Sequence, residues 1–175
     1  MRLKPKAQVQ PPPNRESGKD RRSVLHLERK NVDEDALRAL AVRVAGVLRP
    51  GDVVVLRGEV GSGKTTFVRA AACALGVRET VTSPTYQFAR GYEGTAGGRE
   101  ITLNHLDLYR LEGLDARDAL DLDEYLAPDA VTFIEWADPA LELLERPSVV
   151  ELSHQTPATR RVRLNGPIAA RLEGS

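Results

Sequence analysis

Three observations predict an α/β fold of three layers. Residues 53–56, V-V-V-L, form a continuous apolar run of the kind a parallel strand buried on both faces requires. Residues 58–66 follow directly as G-E-V-G-S-G-K-T-T, matching the phosphate-loop pattern G-x-x-x-x-G-K-[ST] at every fixed position, and a helix-forming run over 67–75 closes at Gly76. A second apolar strand at 130–134 ends in Glu135, and two β-like runs at 86–92 and 100–108 read as a hairpin. Strand, loop and helix in this order predict a P-loop NTPase-like three-layer sandwich. Its central sheet is expected to be mixed and mainly parallel, with an antiparallel hairpin.

Composition sets the frame. A chain of 175 residues with 41% hydrophobic content can bury one core, so residues 23–175 are read as a single domain built around the phosphate loop. The 25 basic and 25 acidic residues cancel, so overall charge announces neither a nucleic-acid nor a membrane surface. Residues 1–22 carry three consecutive prolines and seven basic against two acidic groups, a composition that cannot offset its own ordering entropy. This basic N-terminal tail is expected to be disordered and solvated, weak RNA contact being the alternative. The lone Cys73 excludes an intramolecular disulfide and is read as a small buried residue of the loop helix. No apolar run approaches the ~20 residues that cross a bilayer and no secretory h-region is present, so a cytoplasmic protein without a membrane partner is expected.

Taken in order, residues 23–29 form a first strand, and Asn31 or Asp33 caps a helix whose apolar positions Leu37, Leu40, Ala41, Val44, Val47 and Leu48 keep the helical period. Residues 49–52, R-P-G-D, turn into the strand that carries the loop. In the loop, Gly58, Gly61 and Gly63 let consecutive N–H groups face phosphate oxygens. Lys64 adds a mobile positive charge, Thr65 a hydroxyl for magnesium, and the helix its positive dipole end.

The next segment, V-T-S-P-T-Y at 81–86, is dense in hydroxyls, and Pro84 holds Ser83 extended, which suits a loop that senses the nucleotide. The hairpin is expected to have a mobile tip at 93–98. Its second run ends in H-L-D-L-Y-R, where Asp107 leaves a strand end placed to hold magnesium directly or through water. The acidic stretch 111–126 is expected to form one or two short helices with a solvated face or, alternatively, a partner-docking face. Glu135 ends its strand as the second magnesium-side residue, either ordering the metal's water shell or positioning an attacking water. Trp136 is read as a packing residue rather than a base-stacking platform. Residues 149–152 and 160–164 form two last antiparallel strands before a short tail, with Arg160 and Arg161 in surface pairs rather than at a nucleotide.

Four motifs now stand in order: G-E-V-G-S-G-K-T-T, S-P-T-Y, H-L-D-L-Y-R-L and F-I-E-W. Together they resemble the bacterial TsaE family, the small ATPase of the tRNA threonylcarbamoyladenosine pathway, from about Val24 to about Leu164. The resemblance implies an ATPase that works with two larger partners, of the TsaD and TsaB families, which transfer threonylcarbamoyl to adenosine next to the anticodon. ATP hydrolysis resets that complex between rounds, and contact with tRNA is indirect. Carried over by position, Glu59, Val60, Gly61, Ser62, Gly63, Lys64, Thr65 and Thr66 would bind ATP, and Thr65 would ligate Mg2+. Asp107 and Glu135 would complete the metal and water environment, Ser83 and Thr85 would lie in a switch-like loop, and Glu34 would lie near the adenine. The basic tail departs from the family pattern.

Two other classes share the loop: a small-molecule kinase, against which stands the lack of an Arg-rich lid segment, and a non-hydrolysing nucleotide-sensing module. A GTPase is excluded because the guanine-specifying N-K-x-D pattern does not occur. With no obvious internal arginine finger in the sequence, hydrolysis is expected to be slow until a partner docks.

Overall fold

The structure is a computed structural model that describes residues 26–84, 88–109 and 121–174. The basic tail at 1–22, Thr85 and most of the acidic stretch lie outside the described residues. In chain order the elements are β1 (His26–Val32), α1 (Glu34–Ala45), β2 (Val53–Arg57), α2 (Lys64–Ala74), β3 (Ala89–Ala96), β4 (Arg99–Asp107), α3 (Leu122–Tyr125) and β5 (Ala130–Glu135). A 3₁₀ helix (Asp138–Leu143), β6 (Ser148–His154), β7 (Arg160–Asn165) and α4 (Pro167–Glu173) complete them.

The seven strands form one sheet in the order β1-β7-β6-β2-β5-β4-β3. Its centre, β6-β2-β5-β4, is parallel, and the pairs at both edges are antiparallel. This is the mixed α/β sheet expected from the sequence, and its parallel centre has a direct consequence for function. The carboxyl ends of four strands lie at one end of the sheet, where open α/β folds bind ligands. There β2 runs into the phosphate loop, β4 ends in Asp107, and β5 ends in Glu135, which stands in register with both Leu56 and Asp107.

Side chains alternate across the sheet with the strand period of two. Val54, Leu56, Leu103, Val131, Phe133 and Val150 pack toward α1, α2 and α4. Val55, Leu106 and Ile134 face the opposite side, covered by Leu122 of α3 and by Ala137, Ala140 and Leu144 around the 3₁₀ helix. β5 is buried at every position, as its apolar run requires.

Of the two candidate caps for α1, Asp33 serves: its Oδ1 accepts from the Ala36 N–H at 2.8 Å, whereas Asn31 belongs to β1. Leu37, Leu40, Ala41 and Val44 form the buried stripe of α1, and Phe67, Val68, Ala71 and Ala72 that of α2.

Three expectations need correction. Cys73 is exposed, not buried; the buried stripe of α2 uses 67, 68, 71 and 72, and position 73 falls outside it. The hairpin loop is not six residues long, because Glu93, Gly94, Thr95 and Ala96 pair within the ladder and only Gly97 and Gly98, with φ of 57° and 76°, make the turn. Two consecutive positive φ values follow the twist of paired strands, so the ladder extends to its tightest closure. The C-terminus is not a tail but α4, whose Ile168, Ala169 and Leu172 enter the core. Arg171 pins that helix by donating to both carboxylate oxygens of Asp52, at 2.7 and 2.6 Å, and to the Val47 carbonyl. No helix among the described residues is long and apolar enough to cross a membrane.

Candidate functional site

The loop between β2 and α2 passes so close to its neighbours that two of its positions admit only glycine. A Cβ at Gly58, where φ is 143°, would fall 2.2 Å from the Leu152 carbonyl oxygen. At Gly63, with φ of 107°, it would fall 2.7 Å from Leu37 Cδ2 and 3.1 Å from Arg160 Nε. The motif glycines thus seat the loop between β6 and α1, with α2 starting at Lys64 and presenting its N-terminal N–H groups outward.

Lys64 is almost wholly buried and curls back over its own loop. Its Nζ donates to the carbonyls of Gly58 at 2.8 Å and Glu59 at 3.0 Å, and lies 4.6 Å from the centre of the Trp136 ring. Burial pushes the Lys64 ammonium below the usual lysine range, and the Glu135 and Asp107 carboxylates partly oppose that shift.

The carboxylates are held by neighbours far away in sequence. Glu135, buried at the end of β5, accepts at Oε1 from the Thr65 hydroxyl at 3.0 Å, and the same oxygen lies 3.0 Å from His105 Nε2. Asp107 takes the Ser83 hydroxyl on Oδ2 at 3.3 Å and the Tyr109 N–H on Oδ1 at 3.2 Å. Arg160 donates from Nε to the Ser62 carbonyl at 2.6 Å, tying β7 to the loop.

These groups border a cavity of about 490 Å³, lined by Glu34, Val60, Gly61, Gly63, Lys64, Thr65, Thr66, Ser83, Asp107, Tyr109, Glu135, Trp136 and Arg160. That size is within the range of small-molecule sites. Most residues singled out from the sequence therefore meet in one place. Glu34 borders the cavity from the first turn of α1; its bond to Arg38, at 2.5 Å, holds its carboxyl below the usual range. Glu59 does not line this cavity: it borders a neighbouring one of about 540 Å³ together with Leu56, Arg57, Gly58, Trp136 and Asp138. Ser62 has a fully buried side chain and offers its backbone carbonyl to Arg160 instead. Thr85 lies outside the described residues. A larger cavity, about 780 Å³, opens at the opposite end of the parallel strands, among Arg78, Glu79, Glu93, Glu100 and Asp129. It contains no motif residue.

One sequence expectation changes here. Arg160 is not merely a surface pairing residue, since it contacts the loop backbone. Trp136, read as a packing residue, is half-buried, borders the cavity and is turned there by a φ of 57°. Tyr109 meets Trp136 edge-on at 5.1 Å. For His105 a signal was present: in the strand H-L-D, residues two apart share a face, so His105 had to lie behind Asp107 on the loop side. For Arg160 there was none, because its contact spans 98 residues.

Known proteins can now be compared with this geometry. The family model for threonylcarbamoyl adenosine biosynthesis protein TsaE matches residues 31–163. A tRNA threonylcarbamoyladenosine biosynthesis protein TsaE from Streptomyces coelicolor is 45% identical over 109 residues, covering 62% of this chain and 72% of the relative. The Bacillus subtilis protein of the same name is 37% identical over 111 residues, 63% of this chain and 66% of the relative. Among solved structures, Bacillus subtilis YdiB superposes with a TM-score of 0.66 at 28% identity, covering 86% of this chain and 91% of that one. The chain therefore belongs to the TsaE family, and its role lies in tRNA threonylcarbamoyladenosine biosynthesis.

Proposed function

We propose that the chain acts in this pathway as a magnesium-dependent ATPase with two partner proteins, of the TsaD and TsaB families, that carry out the transfer, and that hydrolysis resets their complex between rounds. Contact with tRNA is then indirect and the site of action cytoplasmic. The observation that supports this furthest is the convergence of Lys64, Thr65, Asp107 and Glu135 on one cavity at the carboxyl ends of parallel strands.

The residues suit a nucleotide with a hard divalent cation. Besides Lys64 and Arg160, the charged groups lining the cavity are carboxylates, and Glu135 and Asp107 each stand next to a hydroxyl, the oxygen donors that magnesium prefers. Among the described residues no group of three or more His, Cys, Asp or Glu is arranged to hold a metal alone. That is in keeping with a magnesium site completed by phosphate oxygens and water. Thr65, Glu135 and Asp107 are the residues that would hold the ion, and magnesium would supply positive charge to the phosphate oxygens during transfer.

The chain's own groups divide the remaining work. The N–H groups at the start of α2 and its dipole cradle phosphate, and Lys64 exchanges the Gly58 and Glu59 carbonyls for phosphate oxygens. Glu135 orients water or the metal shell from a buried position. Ser83, bonded to Asp107 at the cavity, is the group that responds to the terminal phosphate. Arg160 supports the loop through its Nε bond to the Ser62 carbonyl, and in this reading the group that stimulates hydrolysis comes from a docked partner.

The test is steady-state ATP hydrolysis by the purified chain, alone and with the two partners and tRNA. Slow turnover alone and stimulation in the mixture are expected; fast turnover alone refutes partner dependence. Phosphoryl transfer to a metabolite, detected by mass spectrometry, would replace this reading with a kinase. Nucleotide binding without turnover in every mixture would replace it with a sensing module. Lys64→Ala should weaken nucleotide binding or abolish turnover, whereas Glu135→Ala should mainly lower turnover, and unchanged hydrolysis in the latter removes Glu135 from the site.

A further inference from the structure

The mechanism above does not use His105, a polar side chain buried beside Glu135. His105 is fully buried on β4, and its two ring nitrogens have opposite surroundings. Nε2 lies 3.0 Å from Glu135 Oε1. Nδ1 is buried with no hydrogen-bond partner. A leucine in this strand would remove the cost of that orphaned atom, so the ring's one useful feature is the group it turns toward Glu135.

Placement follows from the sheet. Residues 103, 105 and 107 of β4 share the face of 131, 133 and 135 of β5, and the parallel register sets His105 beside Phe133 and Asp107 beside Glu135. His105 therefore stands one step behind the Asp107–Glu135 pair, on the core side, and contacts the carboxylate from the end away from the cavity. Thr65 Oγ1 donates to the same oxygen, Oε1, from the loop helix at 3.0 Å. Two donors on one oxygen, one from the sheet and one from the loop helix, fix the plane of the carboxyl group and leave Oε2 with neither of them.

We infer that His105 is a positioning residue: its Nε2–H holds Glu135 Oε1 so that Oε2 is presented to the reacting centre. This rests on the reading of Glu135 as part of a hydrolytic site. Between the two ring tautomers the geometry selects the one with its hydrogen on Nε2, because a hydrogen on Nδ1 alone would be a buried donor without a partner and would leave Nε2 bare against a carboxylate. Such outer partners of a ligating or water-orienting carboxylate are typically worth roughly 10–100-fold in affinity or activity. The Thr65 bond alone does not replace it, because a single donor leaves the carboxylate free to rotate about that contact.

Three variants of the full chain separate this role from a packing role. His105→Gln keeps an N–H donor at the reach of Nε2; His105→Asn keeps polarity, but its shorter amide falls short; Glu135→Gln tests the underlying reading. Each is measured for folding by thermal denaturation, for ATP affinity by the fluorescence of Trp136, the chain's single tryptophan, and for kcat and KM with the partners present. Expected is a loss in kcat of roughly 10–100-fold for His105→Asn with affinity within about twofold, and recovery to within a few-fold in His105→Gln. Equal activity of the Asn and Gln variants, or a wild-type kcat in His105→Asn, overturns the inference. Unchanged kcat in Glu135→Gln overturns the parent reading instead. A further readout needs no nucleotide: two-dimensional NMR of ring-labelled histidine in the free protein should place the His105 hydrogen on Nε2, and a hydrogen found on Nδ1 refutes the arrangement.

Discussion

Removing the Arg160 side chain tests whether the loop is held ready for phosphate from a distance of 98 residues. The guanidinium is half-buried and donates from Nε to the Ser62 carbonyl at 2.6 Å, while the Nε atom also lies 3.1 Å from where a Gly63 Cβ would stand. One hydrogen bond from a charged donor contributes about 1.5–3 kcal/mol, and partial exposure places this one toward the lower end. At about 1.4 kcal/mol per factor of ten, Arg160→Ala should weaken binding of a non-hydrolysable ATP analogue with magnesium by roughly 10–30-fold. The loss is in preorganisation, since Ser62 and Gly63 are then free to leave the conformation that aims the loop's N–H groups. Isothermal titration calorimetry reads the affinity, and urea denaturation of the free protein checks that the fold survives. Affinity within about twofold of the parent, in a folded variant, refutes the reasoning and returns Arg160 to a surface role.

Further outcomes follow from other contacts. Arg171→Ala should lower stability by about 2–4 kcal/mol by leaving the part-buried Asp52 carboxylate without its two-pronged partner, seen as a lower urea midpoint; a loss under about 0.5 kcal/mol would show that α4 docks by its apolar face alone. Gly63→Ala, forced into a φ of 107° and 2.7 Å from Leu37 Cδ2, should abolish detectable nucleotide binding in a protein that still melts cooperatively; retained binding would mean that the loop relaxes freely. Lys64 yields a pair of opposite pH trends. Because burial lowers its folded-state proton affinity below the usual lysine value of 10.5, the unfolded chain holds more protons between the two values. The Lys64 contribution to stability therefore rises with pH across that window and is lost again as pH falls through the folded value. Nucleotide affinity should fall across the same window as the charge disappears, a trend that Lys64→Arg removes; a flat affinity profile in the parent refutes it.

Much of this protein could be read along the chain because its informative features are local. A phosphate loop is a run of neighbouring residues whose glycines, lysine and threonine act through their own backbone and the helix they start, so residues 58–66 identified themselves. The apolar run ending in Glu135 and the alternation ending in Asp107 declared two strands with acids at their ends for the same reason. Position within a helix was harder: Cys73 was misplaced because the neighbouring alanines hid which stripe faces the core. The terminal helix was missed because seven residues, Pro167–Glu173, barely express a helical period.

Tertiary structure decided what the local pattern left open. Only the strand order, with β2 between β6 and β5, brings Glu135 beside the loop and sets Thr65 and His105 on one carboxylate oxygen. Only the antiparallel return of β7 carries Arg160 to Ser62, and only the turn at Trp136 brings that ring to Lys64. Hydrogen bonds and ion pairs act over a few ångströms and take no account of separation along the chain. The sequence by itself therefore determined which groups the site contains near the loop, and folding determined which distant groups hold them in place.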